Sequence, residues 1–585
     1  MALSLVNIGL VVVGLIVGRV AAAVASPAPH QSTCRNIPGD ARWPKSAEWD
    51  RLNATVDGRL IATVPIAQVC HDPTFSPEEC AQVEGQWNAA IVMTTRPAEI
   101  MTPWFQNQSC VAFSDRSTPC DLGNYASYSI RVSNADDVVA GIGFARKNNI
   151  RLVVKNTGHD FFGKSTGKGA LSLWTRNLQH KELVQHYNTS YYRGPAIKIG
   201  AGVNGKEAAE FAAQYGYRFV VGSCPTVGVA GGYTQGGGHS FLSGLYGLGA
   251  DNVLEWEVVT PTGERLVATP TKNSNLYWAL SGGGGGTYGV VISMTSRVFS
   301  DGQIALASLS FNTTTVGGDD PFWASVGVLL SQLQPLVDDH GAVAQVSMTH
   351  SIFSIFGLMV PGADTHDLAN LLAPLLTALS QTNSALTSSA ISLVITHNST
   401  YAGLVAANVE AVTEAITLPP VIGGRFISRS NWANNATAIL AALRSTMANE
   451  RFVVALTALN TQSAARLAKP IAPNAAPPAF ASVYLSLIVT SMWDWHRSWA
   501  DAAPLQAEYL EVVRPTLEAV TPGAGAYGNE ANWQQPRWQD VFYGSTYERL
   551  KGIKARYDPE GLLYGLTAVG SEKWAADGQG RLCRK

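Results

Sequence analysis

Two reactive side chains stand in glycine-rich surroundings: His159 in N-T-G-H-D-F-F-G-K-S-T-G (156–167) and Cys224 in V-V-G-S-C-P-T-V-G (220–228). Each is a nucleophile when deprotonated, and small neighbours let a flat ligand come close. For His159 taken alone, a structural histidine is the commoner explanation. The same stretch fits two familiar templates. Residues 158–165 read G-x-x-x-x-G-K-S, the phosphate loop of ATPases, and 163–167 read G-x-S-x-G, the nucleophile elbow of hydrolases. Both templates demand a helix after the motif. Ser165-Thr166-Gly167-Lys168-Gly169 is a poor start for one, because each glycine costs about 1 kcal/mol relative to alanine. Both matches are coincidences of glycine spacing. What is left is a loop of small and polar residues whose backbone N–H groups can surround a diphosphate.

The elements that must position these residues are legible around them. Asp136 and Asp137 open the amphipathic run D-D-V-V-A-G-I-G-F-A-R-K-N-N-I, with Lys147 near its end as a helix dipole favours. R-L-V-V-K-N (151–156) then reads as a buried strand leading into the His159 loop. A-I-K-I-G-A-G-V (196–203) alternates like a strand, Asn204 is placed to cap the helix G-K-E-A-A-E-F-A-A-Q-Y-G, and R-F-V-V-G-S (218–223) predicts the next strand. After the glycine-dense run 228–249, N-V-L-E-W-E-V-V-T-P-T-G-E-R-L-V-A-T predicts a hairpin about Pro261-Thr262-Gly263. A short helix around N-L-Y-W-A-L and the loop S-G-G-G-G-G-T-Y-G-V-V lead to another strand. Residues 121–300 are thus a mixed α/β domain with three glycine-rich loops. From 301 to 520, helical patterns such as T-H-D-L-A-N-L-L-A-P-L-L-T-A-L-S-Q alternate with strand-like runs such as V-A-Q-V-S-M-T-H, a second α/β domain. An aromatic, polar segment (521–574) and a short tail (575–585) follow. The run W-D-W-H-R-S-W, which holds His496, reads as a buried aromatic face.

A chain of 585 residues exceeds what one hydrophobic core supports, and 46% apolar with 14% charged residues suits a globular protein with large cores. The formal charge of −2 and the lack of Lys/Arg runs argue against a nucleic-acid binder, so a small molecule is the expected partner. Residues 1–25 hold a short apolar stretch (8–17) and Ala23-Val24-Ala25, a small-residue cleavage pattern, and are read as a secretory signal. A membrane anchor is the alternative, weakened by Arg19 and the shortness of the run. No later run is apolar and long enough to span a membrane. Asn-x-Ser/Thr triplets at Asn53, Asn107, Asn188, Asn312, Asn398 and Asn435 fit N-glycans. Cys34, Cys70, Cys80, Cys110 and Cys120 crowd the N-terminal fifth and Cys583 lies at the other end, so three disulfides in an oxidising compartment are expected, in a pairing the sequence leaves open. Residues 26–120 read as an irregular, disulfide-tied region. Zinc competes for these cysteines, but no C-x-x-C pair is present and no metal is expected. Cys224, the odd seventh, needs its own explanation.

K-N-T-G-H-D-F-F-G-K-S-T-G, V-V-G-S-C-P-T-V-G-V-A-G-G-Y-T-Q-G-G-G-H-S, Y-G-L-G-A-D-N-V-L-E-W-E-V-V-T-P-T-G-E and S-G-G-G-G-G-T-Y-G-V-V, in this order, resemble the FAD-binding domain of the vanillyl-alcohol oxidase / p-cresol methylhydroxylase superfamily. The segment Y-G-N-E-A-N-W-Q-Q-P-R-W-Q-D-V-F-Y-G-S-T-Y-E-R-L-K-G-I-K-A-R-Y-D-P-E-G-L-L-Y is similar to the C-terminal part of its berberine-bridge-like branch. The resemblance implies an α+β fold: a two-subdomain FAD-binding domain of the p-cresol methylhydroxylase (PCMH) type, and a substrate domain built as an antiparallel sheet covered by helices. Residues 521–574 would return to the FAD domain. It also implies FAD bonded at two points, His159 to the 8α methyl and Cys224 to C6 of the ring, which explains why Cys224 stands apart. By the same carry-over Lys155, Asn156, Thr157, Gly158 and Asp160 hold the pyrophosphate, while Gly222, Ser223, Pro225, Thr226 and Gly228 run past the ring. Gly231, Gly232, Gly236, Gly237 and Gly238 lie along the cofactor, with Val290 in the strand after the third loop, and Gly222 bears on oxygen access. The branch motif Y-x-N falls on Tyr527-Gly528-Asn529, so Tyr527 is the candidate base or substrate hydrogen-bond partner with Asn529 beside it; a tyrosine packed in a domain interface is the alternative. A phenol titrates near pH 10, so a basic role requires a perturbed environment or a neighbour that accepts the proton. His239 faces flavin or substrate, or is a satisfied loop histidine.

These implications describe a secreted FAD-linked oxidoreductase that takes hydride from an alcohol or amine carbon, with dioxygen as electron acceptor. A small aromatic or secondary metabolite is the expected substrate and a carbohydrate the alternative. A secreted binding protein without turnover is the alternative of another class, against which His159 and Cys224 together argue.

Overall fold

Local signals account for many of the elements in the computed structural model, which describes residues 34–386, 390–408, 420–491 and 493–585. The leader read over residues 1–25 lies outside them. Asn134 caps helix Ala135–Lys147 by accepting from the backbone of Asp136 and Asp137, and Asn204 with Glu207 forms a reciprocal capping box on helix Gly205–Ala213. Strands β1 (Leu60–Ala62), β2 (Tyr128–Arg131), β3 (Leu152–Lys155) and β4 (Leu171–Trp174) form a sheet in the order β1-β2-β4-β3, with β2 and β3 parallel to β4. Helix Ala135–Lys147 packs on β4 and turns Ile142 and Ala145 into the core.

The stretch expected to be irregular contributes β1 as an edge strand, and helices Ser46–Thr55 and Pro77–Gln86 besides. The second helix has a sequence signal that the cysteines around it obscure: Ser76 at the cap position, Pro77 in the first turn, and Glu78 and Glu79 beside the helix N-terminus. Three disulfides join Cys34 to Cys583, Cys70 to Cys80 and Cys110 to Cys120.

Beyond β4 come β5 (Lys181–Asn188), β6 (Arg193–Gly200), β7 (Tyr217–Arg218), β8 (Val253–Val259), β9 (Arg265–Ala268), β10 (Val290–Arg297) and β11 (Phe299–Ser300). Five of them make an antiparallel sheet, β5-β6-β10-β8-β9, and the two-residue β7 pairs with β11. The strand expected over 218–223 is therefore a correction. Only Arg218 of that run enters a ladder; Phe219, Val220 and Val221 are buried by packing alone, as the chain leaves the sheet to run along a cavity.

Strands β12 (Ile304–Asn312), β13 (Val343–Met348), β14 (Ile352–Pro361), β15 (Ser392–Asn398), β16 (Ile422–Ser428), β17 (Phe452–Ala458) and β18 (Val483–Ser491) form a seven-stranded antiparallel sheet, β15-β12-β14-β13-β17-β18-β16. Side chains alternate across it. Val454, Leu456, Leu487 and Val489 face helices Asp319–His340 and Arg429–Met447 and join Leu329, Leu333 and Leu443 in one core. Val453, Ala455, Ile488 and Thr490 face the opposite side and line a cavity. This is the antiparallel sheet covered by helices that the sequence led us to expect. The C-terminal part rejoins the first half: Tyr527, Phe542 and Leu550 share its core, and helix Tyr547–Tyr557 packs on helix Ser274–Leu280. Over residues 493–498 the run expected to be a buried aromatic face is not buried: Trp493 and Trp495 are half-buried, Trp495 packs edge-on against Trp87 at 5.5 Å, and His496 and Arg497 are exposed. Among the described residues no helix is long and apolar enough to cross a membrane.

Candidate functional site

The His159 loop leaves the end of β3 and turns at Gly158, whose φ of +81° is a left-handed conformation that suits glycine. Lys155 does not reach the space in front of the loop. Its Nζ donates to the carbonyls of Arg96 (2.8 Å) and Met93 (3.5 Å), and a Cβ at Gly158 would lie 3.1 Å from Lys155 Cε, so Lys155 props the turn from behind. Burial pushes this ammonium down to about 7, against the pull of Glu99 and Asp160. Asp160 gathers the N–H groups of Lys164 (2.6 Å), Ser165 (3.1 Å) and Phe162 (3.3 Å), and also accepts from the Ser165 hydroxyl. Residues 161–170 continue as turns and bends without a helix. The G-K-S segment thus has no backbone donors left at Lys164 and Ser165 for a phosphate, which rules out the ATPase match on geometry.

In front of the loop lies a cavity of about 570 Å³, within the range of cofactor and ligand sites. The first loop contributes Asn156, Thr157, Gly158, His159 and Asp160 to its wall; the second contributes Gly222, Ser223, Cys224 and Gly228. Gly231, Gly232 and His239 come from the glycine-dense run, and Tyr527 and Asn529 from the C-terminal segment. Thr157 ties two loops together, its Oγ1 accepting from Gly228 N–H at 3.4 Å. Of the remaining expected residues, Pro225, Thr226, Gly236, Gly237, Gly238 and Val290 stand outside the wall. Val290 is fully buried opposite Val259, and its neighbours Gly289 and Val291 line the cavity instead, as strand alternation requires. Asn156 Oδ1 and Gln235 Oε1 belong to wall residues, are buried, and accept no hydrogen bond from the described residues. Buried polar atoms of this kind are rare in folded proteins.

His159 and Cys224 meet at this wall through a third residue. His159 Nε2 lies 2.8 Å from Thr226 Oγ1, and Cys224 Sγ lies 3.6 Å from the same oxygen. Burial, with Lys155 behind, pushes the imidazole down to about 4, so it is neutral near pH 7 and can act as a nucleophile. Cys224 stands outside the three disulfides.

On another part of the wall Tyr527 is held by two donors: Asn529 Nδ2 (2.8 Å) and Gly238 N–H (3.2 Å) both donate to its phenolic oxygen. Its own hydrogen has no acceptor among the described residues. Burial, aided by the charge of Glu530, pushes this phenol well above its ordinary value, which makes it a donor at neutral pH and a poor base. His239 is buried with its ring 5.5 Å from that of Tyr527, and its Nε2 lies 2.8 Å from Glu530 Oε1. Burial opposes the imidazolium, but the adjacent carboxylate outweighs it and holds His239 above the usual range. Glu530 lines the cavity, and its Oε2 is buried without a partner among the described residues. Glu530 was missed in the sequence. The signal was there, since Y-G-N-E places a carboxylate three residues beyond a phenol that needs a neighbour able to accept a proton.

The far wall is the exposed side of the seven-stranded sheet. Phe356, Ile422, Val453, Ala455 and Ile488 make it apolar, with Ser347 and Thr490 the polar members from these strands. Gln345 of β13 donates to Ser223 Oγ at 2.9 Å and pins this sheet to the Cys224 loop.

Comparison with known proteins finds the FAD binding domain family over residues 126–269 and the berberine and berberine-like family over 526–565. The chain is 43% identical over 564 residues to the VAO-type flavoprotein oxidase VAO615 of Thermothelomyces thermophilus, covering 95% of this chain and 96% of that one. It is 42% identical over 567 residues to the bifunctional decalin synthase calF of Penicillium decumbens, with 95% and 96% covered. The crystal structure of the VAO-type flavoprotein MtVAO615 from Myceliophthora thermophila C1 superposes with a TM-score of 0.88 at 41% identity, over 94% of this chain and 100% of that one.

Proposed function

Because the chain belongs to the vanillyl-alcohol oxidase / p-cresol methylhydroxylase superfamily, in its berberine-bridge-like branch of FAD-dependent oxidoreductases, we propose that it is an oxidase of a small, largely apolar alcohol or amine, carrying FAD tethered by His159 and Cys224. Residues 121–300 together with 521–574 are read as the part that holds the cofactor, and 301–520 as the part that holds the substrate. The wall residues fit FAD: a glycine-lined cavity, the polar side chains of Asn156 and Gln235, and two nucleophiles on one side. When bound, the flavin supplies a two-electron acceptor that takes hydride from substrate and passes electrons to dioxygen.

The observation that carries this reading is that two neighbouring residues of one cavity wall, Tyr527 and Glu530, each keep a polar group without a partner among the described residues, the Tyr527 hydroxyl hydrogen and Glu530 Oε2. Tyr527, fixed by Asn529 and Gly238, donates to the heteroatom of the substrate and sets the position of its carbon. The Glu530 carboxylate accepts the proton that leaves as hydride is withdrawn, and His239 on Oε1 balances its charge. The apolar sheet face packs the rest of the molecule and excludes water. A carbohydrate would leave its hydroxyl groups facing Phe356, Ile422 and Ile488, with Ser347 and Thr490 as partners, so the wall favours a secondary metabolite; the decalin synthase among the relatives agrees in kind.

The test is a screen for hydrogen peroxide release over aromatic and alicyclic alcohols, followed by Glu530→Gln on the best substrate. Loss of a positioned general base costs 10²–10⁴-fold, so kcat is expected to fall by about that factor with KM little changed. Wild-type turnover in Glu530→Gln, or release of peroxide from oligosaccharides only, contradicts the proposal.

A further inference from the structure

We propose that Thr226 is a positioning residue for both tethers, its single hydroxyl selecting the free nitrogen of His159 and orienting the sulfur of Cys224. This inference rests on the two-point attachment proposed above. Thr226 is buried, 2.8 Å from His159 Nε2 and 3.6 Å from Cys224 Sγ. Among the described residues no hydrogen bond engages His159 Nδ1, and His159 lines the cavity.

Counting hydrogens leaves two arrangements of these contacts, and they differ in the nucleophiles they prepare. With hydrogen on Nε2, donated to Oγ1, the lone pair of the neutral ring sits on Nδ1, and the Thr226 hydrogen is left to point at Sγ. In the opposite arrangement the hydroxyl donates to Nε2, hydrogen moves to Nδ1 and the nucleophilic lone pair is lost, while Oγ1 accepts from the Cys224 thiol, which keeps its hydrogen. Only the first arrangement prepares two nucleophiles at once. Each link replaces one flavin C–H and one N–H or S–H with a C–N or C–S bond; the two hydrogens and their electrons reduce one dioxygen to hydrogen peroxide. Once Nδ1 is bonded, Nε2 has given up its hydrogen and accepts from Thr226 instead. The same contact therefore serves the side chain before and after attachment.

The experiment compares full-length wild type, Thr226→Ser, Thr226→Val and Thr226→Ala, produced aerobically with FAD. Each is unfolded and digested, and flavin is quantified by mass spectrometry on the His159 peptide and on the Cys224 peptide. Thr226→Ser keeps both links. In Thr226→Val and Thr226→Ala the flavin on each peptide falls at least tenfold, while circular dichroism and loosely bound FAD report that the chain has folded. Wild-type yield on both peptides in either folded hydroxyl-free variant overturns the role of Thr226. A wild type without flavin on either peptide overturns the attachment proposal instead, so the two failures are distinguishable.

Discussion

Gly236 does not touch the cavity, yet its missing side chain makes room for the residue that holds Tyr527. A Cβ placed there would lie 2.5 Å from Asn529 Nδ2, 2.8 Å from Oδ1 and 2.9 Å from Cγ. Ordinary contact begins near 3.4 Å, so in Gly236→Ala the amide must retreat by about 1 Å. That amide donates to Tyr527 at 2.8 Å and to the Gly232 carbonyl at 2.8 Å; a retreat of about 1 Å stretches both beyond hydrogen-bonding range. Two bonds at about 0.5–1.5 kcal/mol each amount to about 1–3 kcal/mol, which is about 5- to 150-fold if it falls on the orientation of Tyr527 in the transition state. The assay is peroxide release with a substrate found by screening, in a cycle of Gly236→Ala, Asn529→Ala and the double variant, with bound flavin measured in parallel. The double variant is expected to be no slower than Asn529→Ala alone, because the methyl acts only through that amide. Unchanged activity in Gly236→Ala, or additive losses in the double variant, would refute the reasoning.

The His239–Glu530 pair predicts a pH-dependent stability. The folded state holds His239 above its ordinary value, so the pair stabilises fully below about pH 6.5 and the contribution is lost as pH rises through the folded value. The unfolding temperature of wild type minus that of Glu530→Gln should thus be larger at pH 5.5 than at pH 9; a difference independent of pH counts against the pair. The disulfide between Cys34 and Cys583 closes 549 residues, and beside it Arg35 N–H bonds the Leu582 carbonyl and Arg581 pairs with Asp40. Cys583→Ser is expected to lose about 2–4 kcal/mol and to expose the C-terminal tail to protease at lower temperature. Unaltered digestion and unfolding temperature would show that the noncovalent contacts suffice.

What the sequence made legible is what local chemistry determines. Asp136 and Asp137 announce one helix start and Asn204 another, and Pro261-Thr262-Gly263 announces a hairpin. The segments misread are those whose neighbours come from far away. Phe219, Val220 and Val221 have strand composition, but beyond Arg218 no strand among the described residues pairs with them. Lys155 follows a strand into a phosphate-like loop, yet its amine is drawn to the carbonyls of Arg96 and Met93, in a stretch where cysteines drew attention away from helical signals. Glu530 was overlooked because a carboxylate in a polar segment looks solvated; only the fold carries it to His239, nearly three hundred positions earlier in the chain. Thr226 had a place in the family motif, but its bond to His159 exists only in three dimensions.

The most direct test of the account is the fate of the flavin when the purified protein is unfolded, precipitated and digested. The account predicts a yellow pellet and a flavin that joins the His159 peptide to the Cys224 peptide. Colourless precipitate with FAD in the supernatant, or flavin carried by only one of the two peptides, would contradict it.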